Sequence, residues 1–165
     1  EGALDGVVGV TMYEPAFASD RQWHGAGSDH QVAVYGVCYW LTVGVPPPME
    51  VADPLDRASG KMRTIQFDRA AILMSVKDAP AWLYDIVGPV THVCEYEMPV
   101  LKQTVWKLRV VVARIETGEG EEKDVEIDLF IARHGLGGKA LPVAGDMVQA
   151  RIALCCRLWF ANPAR

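Results

Sequence analysis

The sequence predicts an all-β domain, an antiparallel β-barrel or barrel-like sandwich with one short helix. Three observations carry that expectation. Apolar residues recur at every second position through much of the chain, which marks strands with one buried face. The alternating segments are separated by stretches rich in Gly, Pro, Asp and Glu, which favour turns. Only one stretch has the i,i+4 apolar spacing of a helix. The chain has 165 residues, half of them hydrophobic, which is the size of a single domain with its own core.

The first strand is expected at about residues 7–13, in VVGVTMYEP. A polar loop, WHGAGSDH (23–30), follows and carries His24, Asp29 and His30. QVAVYGVCYWLTVGV (31–45) reads as a strand that is apolar on both faces, with Val32, Val34, Cys38 and Trp40 on one and Tyr35, Val37, Tyr39 and Leu41 on the other. A strand of a small antiparallel sheet normally wets one side. The double-sided pattern therefore calls for cover by another layer, a subunit contact or an apolar ligand. PPPMEVADPLDRASG (46–60) reads as a loop because its prolines cannot donate to a ladder, and another strand is expected at about 61–76.

The helical stretch is DAPAWLYDIVG (78–88). Asp78 suits an N-cap, Pro80 the first turn and Gly88 the stop, while Trp82 and Ile86, and Leu83 and Val87, pair at i,i+4. VTHVCEYEM (90–98) reads as a strand with His92 and Cys94 on the same face as Val90 and Tyr96, so that His92 is expected to be buried and hydrogen-bonded beside a core cysteine. Glu95 and Glu97 fall on the opposite, solvent face.

TVWKLRVVVARI and DVEIDLFI form the clearest pair. Trp106, Leu108, Val110 and Val112 share one face, Val125, Ile127, Leu129 and Ile131 another, and ETGEGEEK between them is turn-like. Matching core to core leaves two registers. One opposes Arg109 to Glu126 and Lys107 to Asp128; the other opposes Arg109 to Asp128 and makes Gly118–Glu119 a two-residue turn. Either way the basic residues have acids to neutralise them.

GDMVQARIALCCRLWF (145–160) is apolar at every even position from Val148 to Phe160 and mixed at the odd ones. A strand sends Cys155 and Cys156 to opposite faces, so the two thiols cannot hold one ion together. A strand this long bends and takes part in two layers in small barrels and sandwiches.

The strand, strand, strand, short helix, strand order (about 7–13, 30–43 and 61–76, then 78–88) resembles the oligonucleotide/oligosaccharide-binding (OB) barrel, whose helix lies between its third and fourth strands. GDMVQARIAL is similar to the glycine-aspartate entry to a barrel strand in OB-like proteins. About four strands after the helix, where an OB barrel has two, imply a variant with extra strands. The resemblance implies a nucleic-acid or oligosaccharide face built from aromatic and basic side chains. There is also a faint echo between VVGVTMYEP and VTHVCEYEMP, which would divide the single domain, 1–165, into halves of about 1–82 and 83–165.

The chain contains no Gly-rich phosphate loop, HExxH or GxSxG. GLGG (135–138) reads as a turn. No metal site and no cofactor are expected. A net charge of −5 disfavours a nucleic-acid partner, since phosphate contacts supply most of such affinity. Four cysteines without a CxxC fit a reduced, cytoplasmic protein, and no apolar run approaches the ~20 residues of a membrane span. The chain begins with Glu1 rather than Met, which leaves open the removal of a leader or tag.

The expected function is a non-enzymatic binding or protein-interaction module, with candidate binding residues Tyr35, Tyr39, Trp40, Arg151, Arg157 and Trp159. One alternative is a single-stranded nucleic-acid binder using Arg151, Arg157 and Trp159. The other is an enzyme with a site built from loop residues His24, Asp29 and His30. The double-sided strand points to a homo-oligomer or a protein partner.

Overall fold

The computed structural model describes residues 2–4, 8–16, 31–52, 62–67, 69–99, 102–116, 120–137 and 139–158. Ten strands are present among them: β1 (Gly2–Leu4), β2 (Val8–Val10), β3 (Val32–Val43), β4 (Met49–Ala52), β5 (Met62–Ile65), β6 (Ile72–Ser75), β7 (Leu83–Met98), β8 (Gln103–Glu116), β9 (Glu122–Ala132) and β10 (Met147–Leu158). A 3₁₀ turn, Arg133–Leu136, joins β9 to β10.

Five of these strands close a ring in the order β10, β3, β9, β8, β7 and back to β10, and β6 adds to β7 outside it. The result is a small closed barrel, compatible with an OB-like fold. It is mixed rather than wholly antiparallel, because β3 pairs parallel to β9 through Tyr35, Gly36 and Val37 against Asp128, Leu129 and Phe130. The reason is topological. Strand β3 comes from far upstream and enters the ring without a hairpin, whereas β7, β8 and β9 form a hairpin-connected meander.

The alternation that predicted the ring is what fills it. Leu108, Val110, Val112, Leu129, Ile131, Val148, Ala150, Ile152 and Leu154 are all at most 1% exposed and belong to one apolar cluster. Strand β10 is the seam, pairing with β3 through Val148–Leu158 and with β7 through Met147–Ala153. Where β7 departs, Tyr13 takes its place: its N–H donates to the Leu154 carbonyl, and its own carbonyl accepts from the Cys156 N–H, both at 2.9 Å.

The expected helix over 78–88 is absent. Asp78 sits at a positive φ in a turn, and from Leu83 the chain runs straight into the longest strand. Of the i,i+4 apolar pairs, Ile86 and Val87 are adjacent on one strand and both buried, because β7 there has β10 on one side and β6 on the other, while Trp82 and Leu83 are half-buried. Gly88 does not stop a helix. A Cβ there would collide with the Val111 carbonyl oxygen, so glycine is needed for β7 to cross close to β8.

Three further expectations change for local reasons. Residues 61–76 form two strands, β5 and β6, divided by a turn in which the Ala70 N–H donates to the Phe67 carbonyl at 3.2 Å. Part of the expected loop 46–60 is strand: the prolines end at Pro48 and Met49–Ala52 pairs antiparallel with β5. His92 is exposed, not buried. Thr91 has no partner across from it, so the ladder steps between Val90 and His92, and Val93 rather than Cys94 packs against the core. Such a bulge turns every later side chain over.

Bulges also shape the other two long ladders. In β8 and β9 the register opposing Arg109 to Asp128 is the one formed, and it shifts at Val112, so the pairing ends at Glu116 opposite Glu122; the expected turn at Gly118–Glu119 lies outside the described residues. In β3, Tyr39 is the extra residue between Cys38 and Trp40. Cys38 and Leu41, assigned to opposite faces by strict alternation, are consequently both buried. No helix among the described residues is long and apolar enough to cross a membrane.

Candidate functional site

The outer faces of β8, β9 and β3 meet in a cleft of about 620 Å³, within the range of small-ligand sites. Val105 of β8 and Phe130 and Ala132 of β9 form its floor, and Tyr35 and Val37 of β3 form one wall. The other wall is the end of the β7–β8 ladder, where Met98 lies opposite Gln103; His134 of the 3₁₀ turn and Arg157 of β10 close the rim. These positions follow from alternation. Along β9 the residues Val125, Ile127, Leu129 and Ile131 point inward, which sends Asp128, Phe130 and Ala132 outward.

Tyr35 and Phe130 pack edge to face, with ring centres 6.0 Å apart and planes at 83°, a favoured aromatic geometry. Partial burial pushes the Tyr35 phenol up, with the Cys155 and Cys156 thiols adding to that and Arg157 opposing it. It therefore stays a neutral donor at physiological pH. Among the described residues no Asp or Glu lines the cleft.

Four other cations of the ring strands are held by aspartates. Arg151 grips Asp85 with two hydrogen bonds, Nε to Oδ1 at 2.8 Å and a second guanidinium nitrogen to Oδ2 at 2.9 Å. Lys107 and Arg109 both hold Asp128, at 3.2 and 3.0 Å, and Arg114 holds Asp124 at 2.9 Å. Burial alone would raise the Asp128 carboxyl, but the hydrogen bonds from Arg109 and Lys107 outweigh it and hold the group below its ordinary value. Arg157, exposed at the rim, makes no ion pair among the described residues.

Of the six candidate binding residues, the cleft brings two together, Tyr35 and Arg157. Tyr39 is 52% exposed on the bulge of β3. Trp40 borders a separate apolar cleft of about 520 Å³ with Pro46, Pro47, Pro48, Phe67 and Met74, beside the Arg151–Asp85 pair. Arg151 and Arg157 share a face of β10 but lie six residues, or ~20 Å, apart along the strand. Trp159, and the loop residues His24, Asp29 and His30, lie outside the described residues. Phe130, Met98 and His134 were missed. Phe130 did leave a signal, an aromatic on the otherwise polar face of a cleanly alternating strand, between Asp128 and Ala132.

The cysteines follow the strand reading. Cys155 and Cys156 are buried neighbours on β10, the first donating to the Ala153 carbonyl at 3.6 Å and the second to Glu14 Oε2 at 3.9 Å. Burial pushes the Cys156 thiol up to about 11 and that of Cys38 to about 12, so neither forms a thiolate readily. No cluster of three metal-ligating side chains occurs among the described residues.

Comparison with known proteins gave no matching family model, no matching curated protein and no matching solved structure.

Proposed function

We propose that this chain is a non-enzymatic binding module whose ligand occupies the cleft formed by β3, β8 and β9. The observation that carries the reading is the joining of an aromatic pair, Tyr35 and Phe130, to a guanidinium, Arg157, that has no ion pair among the described residues, in a concave, mainly apolar site. Sites for small ligands share that composition, an apolar body with a few placed polar groups.

The ring order supports an OB-like frame in permuted form. An OB barrel begins with a three-strand meander, continues through a helix to strands four and five, and sets strand three parallel to strand five. Here β7, β8 and β9 are the meander, the 3₁₀ turn stands in the helix position, β10 acts as strand four, and β3 acts as strand five although it comes first in the chain. Strand one of an OB barrel pairs with both two and four, as β7 does with β8 and β10. In that frame the cleft lies on the face of strands two and three, where OB proteins bind.

Titration with 8-anilinonaphthalene-1-sulfonate tests the reading. Fluorescence enhancement should be lost in Phe130→Ala and kept in Trp40→Ala. Enhancement that survives Phe130→Ala removes the cleft as the binding site.

Single-stranded nucleic acid is the second reading, favoured by the frame and the aromatic pair. A backbone track needs several free cations, and Lys107, Arg109 and Arg151 are each held by a carboxylate. Anisotropy of a fluorescein-labelled thymidine oligomer at ~50 mM salt decides between the two, because electrostatic binding is strongest at low salt. Self-association through β3 is supported by the exposure of Val37, Tyr39, Trp40 and Val43, and light scattering at ~100 µM protein tests it. The four unpaired thiols favour a reducing compartment such as the cytoplasm.

A further inference from the structure

We infer that the cleft selects an amphipathic organic anion, with a flat apolar body lying on Phe130 and Tyr35 and one carboxylate or phosphate held by Arg157. The inference rests on the binding-module reading and adds the ligand's chemistry. It is argued from charge. The chain carries a net charge of −5, so a surface without acids is the exception on it. The cleft is such a surface: among the described residues its lining includes Arg157 and His134 and no carboxylate.

Glu14, whose charge reaches Tyr35, faces the Cys156 thiol and is not part of the lining. The contrast with the rest of the barrel gives the argument its force. Arg109, Arg114 and Arg151 each meet an aspartate within 3.0 Å, whereas Arg157 makes no ion pair among the described residues and shares the lining of the cleft with Tyr35, Phe130 and Met98. A guanidinium in that position offers paired donors to a planar anion, a geometry that carboxylate and phosphate both match. The Tyr35 hydroxyl and the Gln103 amide add neutral donors on either wall.

The size of the site limits the body. A volume of about 620 Å³ accommodates two fused rings with a substituent and leaves room for water, whereas a folded protein segment would need a longer channel. Edge-to-face packing of Tyr35 on Phe130 leaves ring surface for a third aromatic group to stack on.

The test uses the intact chain and three probes with a common body: 2-naphthoate, 2-naphthyl phosphate and the neutral 2-naphthalenemethanol. Calorimetry gives affinities, and amide chemical shifts at Tyr35, Phe130 and Ala132 locate the site. Both anions should bind on the order of tenfold more tightly than the alcohol, as expected for one charge-assisted contact. Arg157→Gln should erase that difference without weakening the alcohol, and Arg157 is exposed, so the variant should fold. Either anion alone showing the preference identifies which head group is taken. An alcohol that binds in the cleft as tightly as the anions, or a preference that survives Arg157→Gln, overturns the inference and leaves the binding module intact. Absence of shifts at the cleft with all three probes overturns both.

Discussion

The two ends of β10 present the same residue to very different surroundings. At one end Arg151 sits on the seam, where β10 has a strand on either side, and is fixed by both oxygens of Asp85. At the other, beyond the point where β7 departs, Arg157 lies at the rim of a cleft that no acid lines among the described residues. In sequence the two arginines are alike, outward residues of one alternating strand. The difference comes from what the ring brings alongside. Closure supplies Asp85 to the first, because Asp85 is directly opposite Arg151 in the β7–β10 ladder; the second meets the open face of β3 and β9. A cation's role is set by its neighbours across the sheet, and those are fixed by topology.

Perturbing the seam should have the largest effect. Leu154 and Ile152 are fully buried on β10, and Leu154→Ala should cost ~2–5 kcal/mol, as large-to-small changes in close-packed cores do. Gly88→Ala should be comparably damaging, since the added methyl meets the backbone oxygen of Val111, and overpacking typically costs ~1–3 kcal/mol or more. Denaturant unfolding measures both. A Gly88→Ala protein as stable as the parent would mean that β7 and β8 do not approach so closely, and the ring would have to be wider.

Asp85→Asn should have a smaller effect on stability than either, because both partners of the Arg151 pair are about a third exposed and surface pairs contribute little. Releasing Arg151 creates a second unengaged cation on β10, and anion affinity at the Tyr35 cleft should stay unchanged, since the two arginines serve separate places. A change there would show that they belong to one surface.

The hairpin supplies a pH test. Asp128 is held below its ordinary value in the fold, so it binds a proton less readily there than in the unfolded chain. That contribution is complete above the ordinary aspartate range, about 4, and is lost as pH falls through the lower, folded value. Stability should therefore decline on acidification below about pH 4, and Asp128→Asn should flatten part of that slope. An unchanged slope would show that Arg109 and Lys107 do not hold the carboxylate in solution.

The smallest effect concerns thiols. Cys94 is half-buried on β7, whereas Cys38 and Cys156 are buried and pushed up. Alkylation of the native protein with iodoacetamide near pH 8, read by mass spectrometry, should label Cys94 well before the other two. Early labelling of Cys156 would indicate that the far end of β10 opens.

How much of this was legible in the sequence depended on how far strict alternation lasted. In β9 it holds from Val125 to Ile131, and the buried face was readable; of the two registers that match core to core, nothing in the sequence selected the one with Asp128 opposite Arg109. It fails wherever one residue is inserted. Val112, Tyr39 and Thr91 each reset the phase, and nothing in their chemistry announces it, because a bulge is imposed by the twist and closure of the whole ring. The false helix at 78–88 has another origin. Ile86 and Val87 are neighbours on β7 and both buried, because strands flank β7 on either side, and apolar residues at successive positions fit a helical spacing as well as a strand. The cleft was half legible, through Tyr35 and Arg157; its other members required the parallel contact of β3 with β9, which joins residues some ninety positions apart.

The claim on which the site depends is that β10 closes the barrel, holding β3 on one side and β7 on the other. Backbone nuclear Overhauser effects from Ile152 test it directly. Closure predicts cross-strand contacts from Ile152 to both Cys38 and Tyr84, and contacts to only one of the two would mean an open sheet, with Arg157 no longer set at the rim of the cleft.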